Sequence, residues 1–387
     1  MTNGSDGARV SLGTIAREWG RLGVVGFGGP PTHIALLRRL CVEEHDWIDA
    51  EAFQDGVATT NLLPGPASTQ LAIFCAWRLR GAPGAILGGL CFICPGLGLI
   101  TALSAVFLAA HPPLWILGAA AGAGAGVPAV ALFAASRLVY PSLQRIGEGR
   151  GAQVRWASYA VLGAIVAAVL GTFVVVVLLG CGLLEVMVRR GRGRSHSFAL
   201  MPVAVVHTAG VVGLGALVFE AFKVGALSYG GGFVIIPLMQ HDVVNTYHWM
   251  TGAQFLNAVA LGQVTPGPVV LTIAVVGYAV FGVGGALLGA LVAFAPSFLF
   301  ILFGAPKFDR IRANTTVTSF LAGAGPAVIG AIAGSAIPLG LSLHLVWQVP
   351  VLTAVLLWLF AARRGVVSAL LLAGAVGIIL ALAGVVV

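Results

Sequence analysis

The chain has 387 residues, of which 59% are hydrophobic and only 9% charged, against roughly 25% charged in an ordinary soluble protein. Water therefore cannot be its main solvent, and lipid must be. The net charge of +8 would suggest nucleic acid in a soluble chain, but here the basic residues sit in short loops between apolar runs, where they set membrane orientation, so nucleic acid is not an expected partner.

In chain order, residues 1–17 carry Asn3, Ser5, Asp6, Arg9 and Arg17 with no long apolar core, which does not fit a cleaved signal peptide and reads as a short cytoplasmic tail. Two interrupted segments follow, broken at Gly28-Gly29-Pro30-Pro31 and at Pro64-Gly65-Pro66. Stretches 86–110, 114–135, 156–171 and 172–188 carry no Lys or Arg and approach or exceed the ~17 to 25 residues that span a hydrocarbon core. Cys41, Cys75, Cys91, Cys94 and Cys181 are odd in number, and all but Cys41 lie in apolar stretches, so no disulfide framework is implied. The Cys91/Cys94 pair reads as small apolar packing. No metal or cofactor motif is evident.

The second half repeats the first at a constant offset of 202 positions. Glu18 falls on Glu220, Gly23 on Gly225, Phe27 on Tyr229, Gly28-Gly29 on Gly230-Gly231, Trp47 on Trp249, and Pro64-Gly65-Pro66 on Pro266-Gly267-Pro268. Beyond about position 90 the register drifts by a few residues. Each half thus reads as two broken or re-entrant helical hairpins followed by about four spanning helices. The breaks at Gly28, Gly29, Gly230, Gly231 and Gly232, and at both Pro-Gly-Pro motifs, should unwind because Pro lacks a donor and Gly is a poor helix residue. Unwound backbone at membrane depth survives only against protein or a water-filled cavity.

Charge sets the two halves upside down. First-half Lys and Arg cluster at Arg9 and Arg17, Arg38 and Arg39, Arg78 and Arg80, 137–155 and 189–194, while the turns near His111-Pro112-Pro113 and Gly171-Thr172 carry none. In the second half the equivalents of the charged loops are bare, and the equivalents of the bare turns hold Lys307, Arg310 and Arg312, then Arg363 and Arg364. An apolar stretch at 198–219 supplies the crossing that starts the second half outside. The predicted fold is an all-α polytopic membrane protein of two inverted-topology repeats, 1–195 and 196–387, joined by that linking helix. The N-terminus is expected in the cytoplasm and the C-terminus outside.

Of the 21 basic residues, Arg21 and Lys223 alone fall outside this pattern, and they occupy the same repeat position, each three residues after a glutamate (Glu18, Glu220). Two readings stay open: a helix-surface ion pair at i, i+3, or a symmetric pair of cations facing a central anion site.

Phe27-Gly28-Gly29-Pro30, Pro64-Gly65-Pro66, Ser228-Tyr229-Gly230-Gly231-Gly232 and Gln263-Val264-Thr265-Pro266-Gly267-Pro268 together resemble the chromate ion transporter family, in its long form with two fused homologous halves. The resemblance covers nearly the whole chain. It implies efflux of chromate, with sulfate as isosteric competitor, across the inner membrane by halves of antiparallel topology.

A tetrahedral oxyanion needs converging donors, and helix N-termini supply unpaired N–H groups with partial positive charge. The segments opening at Ala67-Ser68-Thr69-Gln70 and Val269-Val270-Leu271-Thr272 are the leading candidates, with those after Gly29 and Gly231 as a second pair. Thr32, Ser68, Thr69, Gln70, Asn61, Gln263 and Thr265 can add donors, or can bond freed backbone instead. Arg21 and Lys223 would supply charge, Arg as a planar fork and Lys as a point. Glu18, Glu220 and His33 are proton or ion-pair candidates, His33 being either a titrating group or a histidine bonded to backbone at the break. Alternating access around the breaks is expected, with an anion channel of the same fold as the alternative. A membrane-embedded hydrolase lacks support, since no HExxH or GxSxG occurs and acidic residues at depth reduce to Glu18 and Glu220. Expected partners are the oxyanion and the bilayer, with a homodimer open.

Overall fold

A computed structural model describes residues 10–146, 149–190, 213–228, 233–305, 308, 310 and 313–385. Every regular element among them is helical. The stretches Ala67–Phe107, Leu114–Ile146, Arg150–Val169, Val269–Gly304 and Thr315–Leu341 are long and apolar enough to cross a membrane, with Gln348–Ala361 and Val366–Leu382 shorter but equally apolar. The protein is an all-α, multi-pass membrane protein.

Helix α1 (Leu12–Val25) begins where Ser11 accepts from the Thr14 amide and ends at the Gly28/Gly29 break. Helix α2 (Pro30–Arg38) takes Pro at its first position, where no donor is lost, and widens into a π-helical turn at Arg39–Glu44. Helix α3 (Ala50–Thr60), capped by Asp49, leads to the Pro-Gly-Pro break. Beyond it α4 (Ala67–Phe107) runs to the next loop.

The sequence suggested a basic loop around Arg78 and Arg80, but α4 contains only a two-residue reversal there. Arg80 lies at φ −141° and Gly81 at φ 62°, ψ −147°, a backbone that glycine adopts without a Cβ penalty. The chain then folds back on itself, for Gly88 packs on Ala76 and Gly89 on Ile73. The Arg80 guanidinium reaches the Val10 carbonyl at 3.3 Å, and a cavity of about 310 Å³ is lined by Trp47, Ile48, Asp49, Trp77 and Arg78.

Helices α5 (Leu114–Ala125) and α6 (Val127–Ile146) meet at Gly126, followed by α7 (Arg150–Val169) and α8 (Val174–Arg190). The second half supplies α9 (Leu214–Leu227), α10 (Ile235–His241) with a π-helical turn Asp242–Thr246, α11 (Gly252–Val264), α12 (Thr272–Gly304), α13 (Thr315–Leu341), α14 (Gln348–Leu356) and α15 (Val366–Leu382). The linking helix expected at 198–219 is shortened by this boundary: Gly213, at φ 100°, opens α9 and assigns 214–219 to it, while 198–212 lie outside the described residues.

Backbone details recur at the offset of the sequence repeat. Asp46 and His248 both have positive φ, at 49° and 53°. The reversal at Arg80-Gly81 returns at Phe281-Gly282, one residue short of that offset, with φ −139° and 58°. His45 stacks on Trp47 and Tyr247 on Trp249, at 4.4 and 4.5 Å. Helix α1 packs on α4 and α9 on α12, through Gly23 against the Phe92 carbonyl and Gly225 against the Ala293 carbonyl. Such close approach requires the missing side chain.

Between the halves, α8 packs on α13 and α15 on α5. Among the basic ends, Arg155, Arg189 and Arg190 gather with Thr316 at the start of α13. The uncharged turn at Gly171 packs against His241.

Candidate functional site

Each Pro-Gly-Pro break meets, crosswise, the end of a helix of the other half, α9 at Ser228 and α1 at Gly26. The Gly65 amide donates to the Ser228 carbonyl at 2.8 Å, and the Gly267 amide donates to the Gly26 carbonyl at 2.9 Å. Gly65 corresponds to Gly267 and Gly26 to Ser228 at the repeat offset, so the bonds are reciprocal, the pattern that a twofold relation produces. Gly65 and Gly267 adopt φ 119° and 99°, which L side chains rarely adopt, so glycine is what lets each amide face the opposite half.

Each crossing opens a helix. After Pro66, the Thr69 and Gln70 amides turn back to the Pro66 carbonyl at 2.9 and 3.0 Å, and those of Ala67 and Ser68 remain as first-turn donors of α4. After Pro268 a short 3₁₀ turn, Val269–Leu271, precedes α12, with the Leu271 amide on the Pro268 carbonyl. Gln70 is fully buried, and its Nε2 donates to the Pro64 carbonyl at 2.7 Å, bracing the loop. Pro266 presents its carbonyl to Gly96 of α4.

His33, buried on the first turn of α2, joins the glycine break to α4. Its Nε2 lies 2.9 Å from the Gly26 carbonyl and its Nδ1 3.2 Å from Ser68 Oγ. A carbonyl can only accept, so Nε2 carries the proton and Ser68 donates to Nδ1. Gly28 and Gly29, at φ 102° and 75°, form the break, and the Thr32 hydroxyl lies over Gly28. Gly230, Gly231 and Gly232 lie outside the described residues.

The remaining polar candidates divide into bonded and unbonded groups. Asn61 closes α3, with its amide on the Val57 carbonyl at 3.1 Å. The Thr265 hydroxyl donates to Leu261 at 2.9 Å, and that of Thr272 to Val269 at 2.8 Å. By contrast Thr69 Oγ1, Gln70 Oε1, Ser228 Oγ, Gln263 Nε2 and Ser297 Oγ are buried without a hydrogen-bond partner. Ser297 was invisible to sequence reasoning: it sits mid-helix in α12, where a lone serine gives no signal.

Carboxylates hold both exceptional cations. Lys223 Nζ lies 2.6 Å from Glu220 Oε2 and 2.5 Å from Asp242 Oδ2, with its side chain 10% exposed. The contact of Glu220 with Lys223 is an ion pair, and the Glu220 oxygens have no hydrogen-bond partner beside it. Arg21 lies 3.3 Å from Glu18 and 3.9 Å from Glu44, with its side chain 57% exposed, and Glu18 also pairs with Arg17 at 3.0 Å. The i, i+3 pairs are thus present in both halves, each with a further partner, but only in the second is the cation itself buried. Asp242 reaches Lys223 from the π-helical turn Asp242–Thr246.

The expectation that Glu18 and Glu220 exhaust the acids at depth is corrected by Glu185 of α8. This fully buried carboxylate accepts from Arg155 Nε at 2.9 Å, Arg155 NH2 at 3.2 Å, Arg189 Nε at 2.8 Å and the Tyr159 hydroxyl at 3.3 Å. The Glu185/Arg189 spacing of four was the available signal.

Comparison with known proteins follows the same lines. Residues 13–186 and 215–382 match the chromate transporter family. A probable chromate transport protein of Synechococcus elongatus is 31% identical over 86% of this chain and 86% of its own length. Chromate transport proteins of Cupriavidus metallidurans and Pseudomonas aeruginosa are 32% and 30% identical, each over 82% of this chain and over 80% and 79% of their own lengths. No solved structure matches. These relatives are named as transport proteins, and this protein is likewise a transporter, not an enzyme. With its paired matches flanking the reciprocal crossings, the chain belongs to the chromate transporter family.

Proposed function

We propose that this protein is a secondary transporter of the inner membrane that exports a tetrahedral oxyanion, chromate foremost with sulfate as competitor, by alternating access around the central crossings. The observation that carries the reading is the reciprocal pair of hydrogen bonds, Gly65 to Ser228 and Gly267 to Gly26. Together they bring two broken helices of each half to one place and open helix N-termini there, a field suited to an anion. The relatives' printed names supply chromate.

In this reading the halves, 1–195 and 196–387, are inverted, with the N-terminus in the cytoplasm and the C-terminus outside. The gathering of Arg155, Arg189 and Arg190 beside Thr316, and of Gly171 beside His241, supports two chemically distinct faces. Arg21 and Lys223 enter as carboxylate-paired cations about two turns before each glycine break. Export of a dianion from an inside-negative cell gains roughly 2.3 kcal/mol per charge per 100 mV, so the membrane potential alone favours it.

The test is uptake of labelled chromate into inside-out vesicles. Saturable uptake that sulfate reduces is expected. Vesicles that carry neither oxyanion refute the substrate, and uptake linear in concentration identifies a channel.

A further inference from the structure

The two crossings share a backbone and differ in chemistry. At the first, Ser297 Oγ lies 3.2 Å from the point where a Cβ on Gly65 would stand, and the Gln70 carboxamide closes the same side. Thr69 and Gln70 in the first turn of α4, Ser228 whose carbonyl makes the crossing, and Ser297 are all fully buried, and each has a side-chain polar atom without a partner. An unpaired buried polar group costs about 1–3 kcal/mol, and several together call for a water or a ligand.

At the second crossing the equivalents are Leu271 for Thr69, Gly26 for Ser228 and, with the register drifted by one residue so that Pro95 matches Pro296, Gly96 for Ser297. Thr272 replaces Gln70, and its hydroxyl is already satisfied by Val269. Gly96 packs on the Pro266 carbonyl and Leu271, filling the space with apolar surface. Gln263 Nε2, also unpartnered, belongs to the helix leading into that break.

We propose that the oxyanion binds at one place only, the Gly65–Ser228 crossing, where its oxygens accept from the hydroxyls of Thr69, Ser228 and Ser297 and from the first-turn amides of Ala67 and Ser68. This rests on the oxyanion-transport reading and adds a location and a stoichiometry to it. Gln70 is a positioning residue, because its amide holds the Pro64 carbonyl and with it the loop. No free cation takes part: Lys223 and Arg21 are held by carboxylates, and the α4 N-terminus provides the favourable field. Neutral donors suit a carrier, which must release its ion as well as bind it. The repeat thus duplicates the backbone, while the side chains select one site.

In inside-out vesicles, Ser228→Ala and Ser297→Ala are each expected to raise the KM for chromate about tenfold, as loss of a hydrogen bond to a charged group implies, with the melting temperature of the substrate-free protein not lowered. Ser335→Ala, whose hydroxyl is satisfied within α13 by Ile332 at 2.7 Å, serves as the control and leaves KM unchanged. Equilibrium binding of labelled chromate to the purified protein is expected to give one site per chain. Two sites per chain, or wild-type KM in both serine variants, overturns the proposal. If wild-type vesicles carry no oxyanion, the transport reading fails first; if they carry chromate and both serine variants match them, only the site fails.

Discussion

Replacing Lys223 by Met removes the ammonium that faces two carboxylates, one of them fully buried, while preserving most of the side-chain volume. Glu220 and Asp242 lie 2.6 and 2.5 Å from Nζ, with side chains 0% and 16% exposed. Asp242 keeps secondary contacts to Thr246 at 3.4 Å and His241 at 3.5 Å, whereas Glu220 keeps no directed bond. Deleting one partner of a buried ion pair costs about 3–5 kcal/mol, because the other charge stays buried. The equivalent Arg21→Met change removes a half-exposed group, and Glu18 retains Arg17, so its cost is about 0–1 kcal/mol. Thermal unfolding in detergent, followed by tryptophan fluorescence, is expected to show a melting temperature about 4–6 °C lower for Lys223→Met and about 1 °C lower at most for Arg21→Met. Adding Glu220→Gln to Lys223→Met is expected to restore part of the loss. Equal shifts for the two single variants would refute the claim that burial separates these two repeat-equivalent pairs.

Further tests address packing, the corrected acid and topology. Glu185→Ala leaves Arg155, Arg189 and Tyr159 without their shared acceptor, and a loss of about 3–5 kcal/mol is expected as a lowered melting temperature, with Glu185→Gln milder. Gly225→Val drives a Cβ into the Ala293 carbonyl, whereas a Cβ on Gly20 meets nothing within 4 Å; size-exclusion chromatography should show no folded peak for Gly225→Val and a normal one for Gly20→Ala. Gln70→Leu removes the brace on the Pro64 carbonyl and is expected to cost about 1–3 kcal/mol in the same unfolding assay. Single cysteines at Arg38 and Gln240, in a background without the five native ones, are expected to react with impermeant reagents from opposite sides; reaction from one side would break the inversion.

Much of the fold was legible in the sequence because lipid imposes simple rules. Apolar length marks the spans, and the absence of Lys and Arg marks one set of turns. Glycine and proline breaks are equally visible, since their backbone effects are local. The Arg80-Gly81 reversal was not: a two-residue turn and a loop look alike when both hold basic residues, and the return of Gly88 onto Ala76 depends on packing along two helices. The depth of Glu185 escaped notice for a similar reason. Its three cationic and hydroxyl partners come from α7 and α8, and only the packing of those helices buries the acid.

What the sequence determined by itself was the solvent, the repeat and the places where helices must break, all properties of composition and of residues acting on their own backbone. The tertiary structure decided which break faces which. The crosswise bonds of Gly65 with Ser228 and of Gly267 with Gly26 join residues far apart in sequence, and only that pairing sets Ser297 beside Gly65 while leaving Gly96 beside Pro266. It also distinguished Arg21 from Lys223, since the repeat gives them the same position but burial depends on neighbours contributed by other segments.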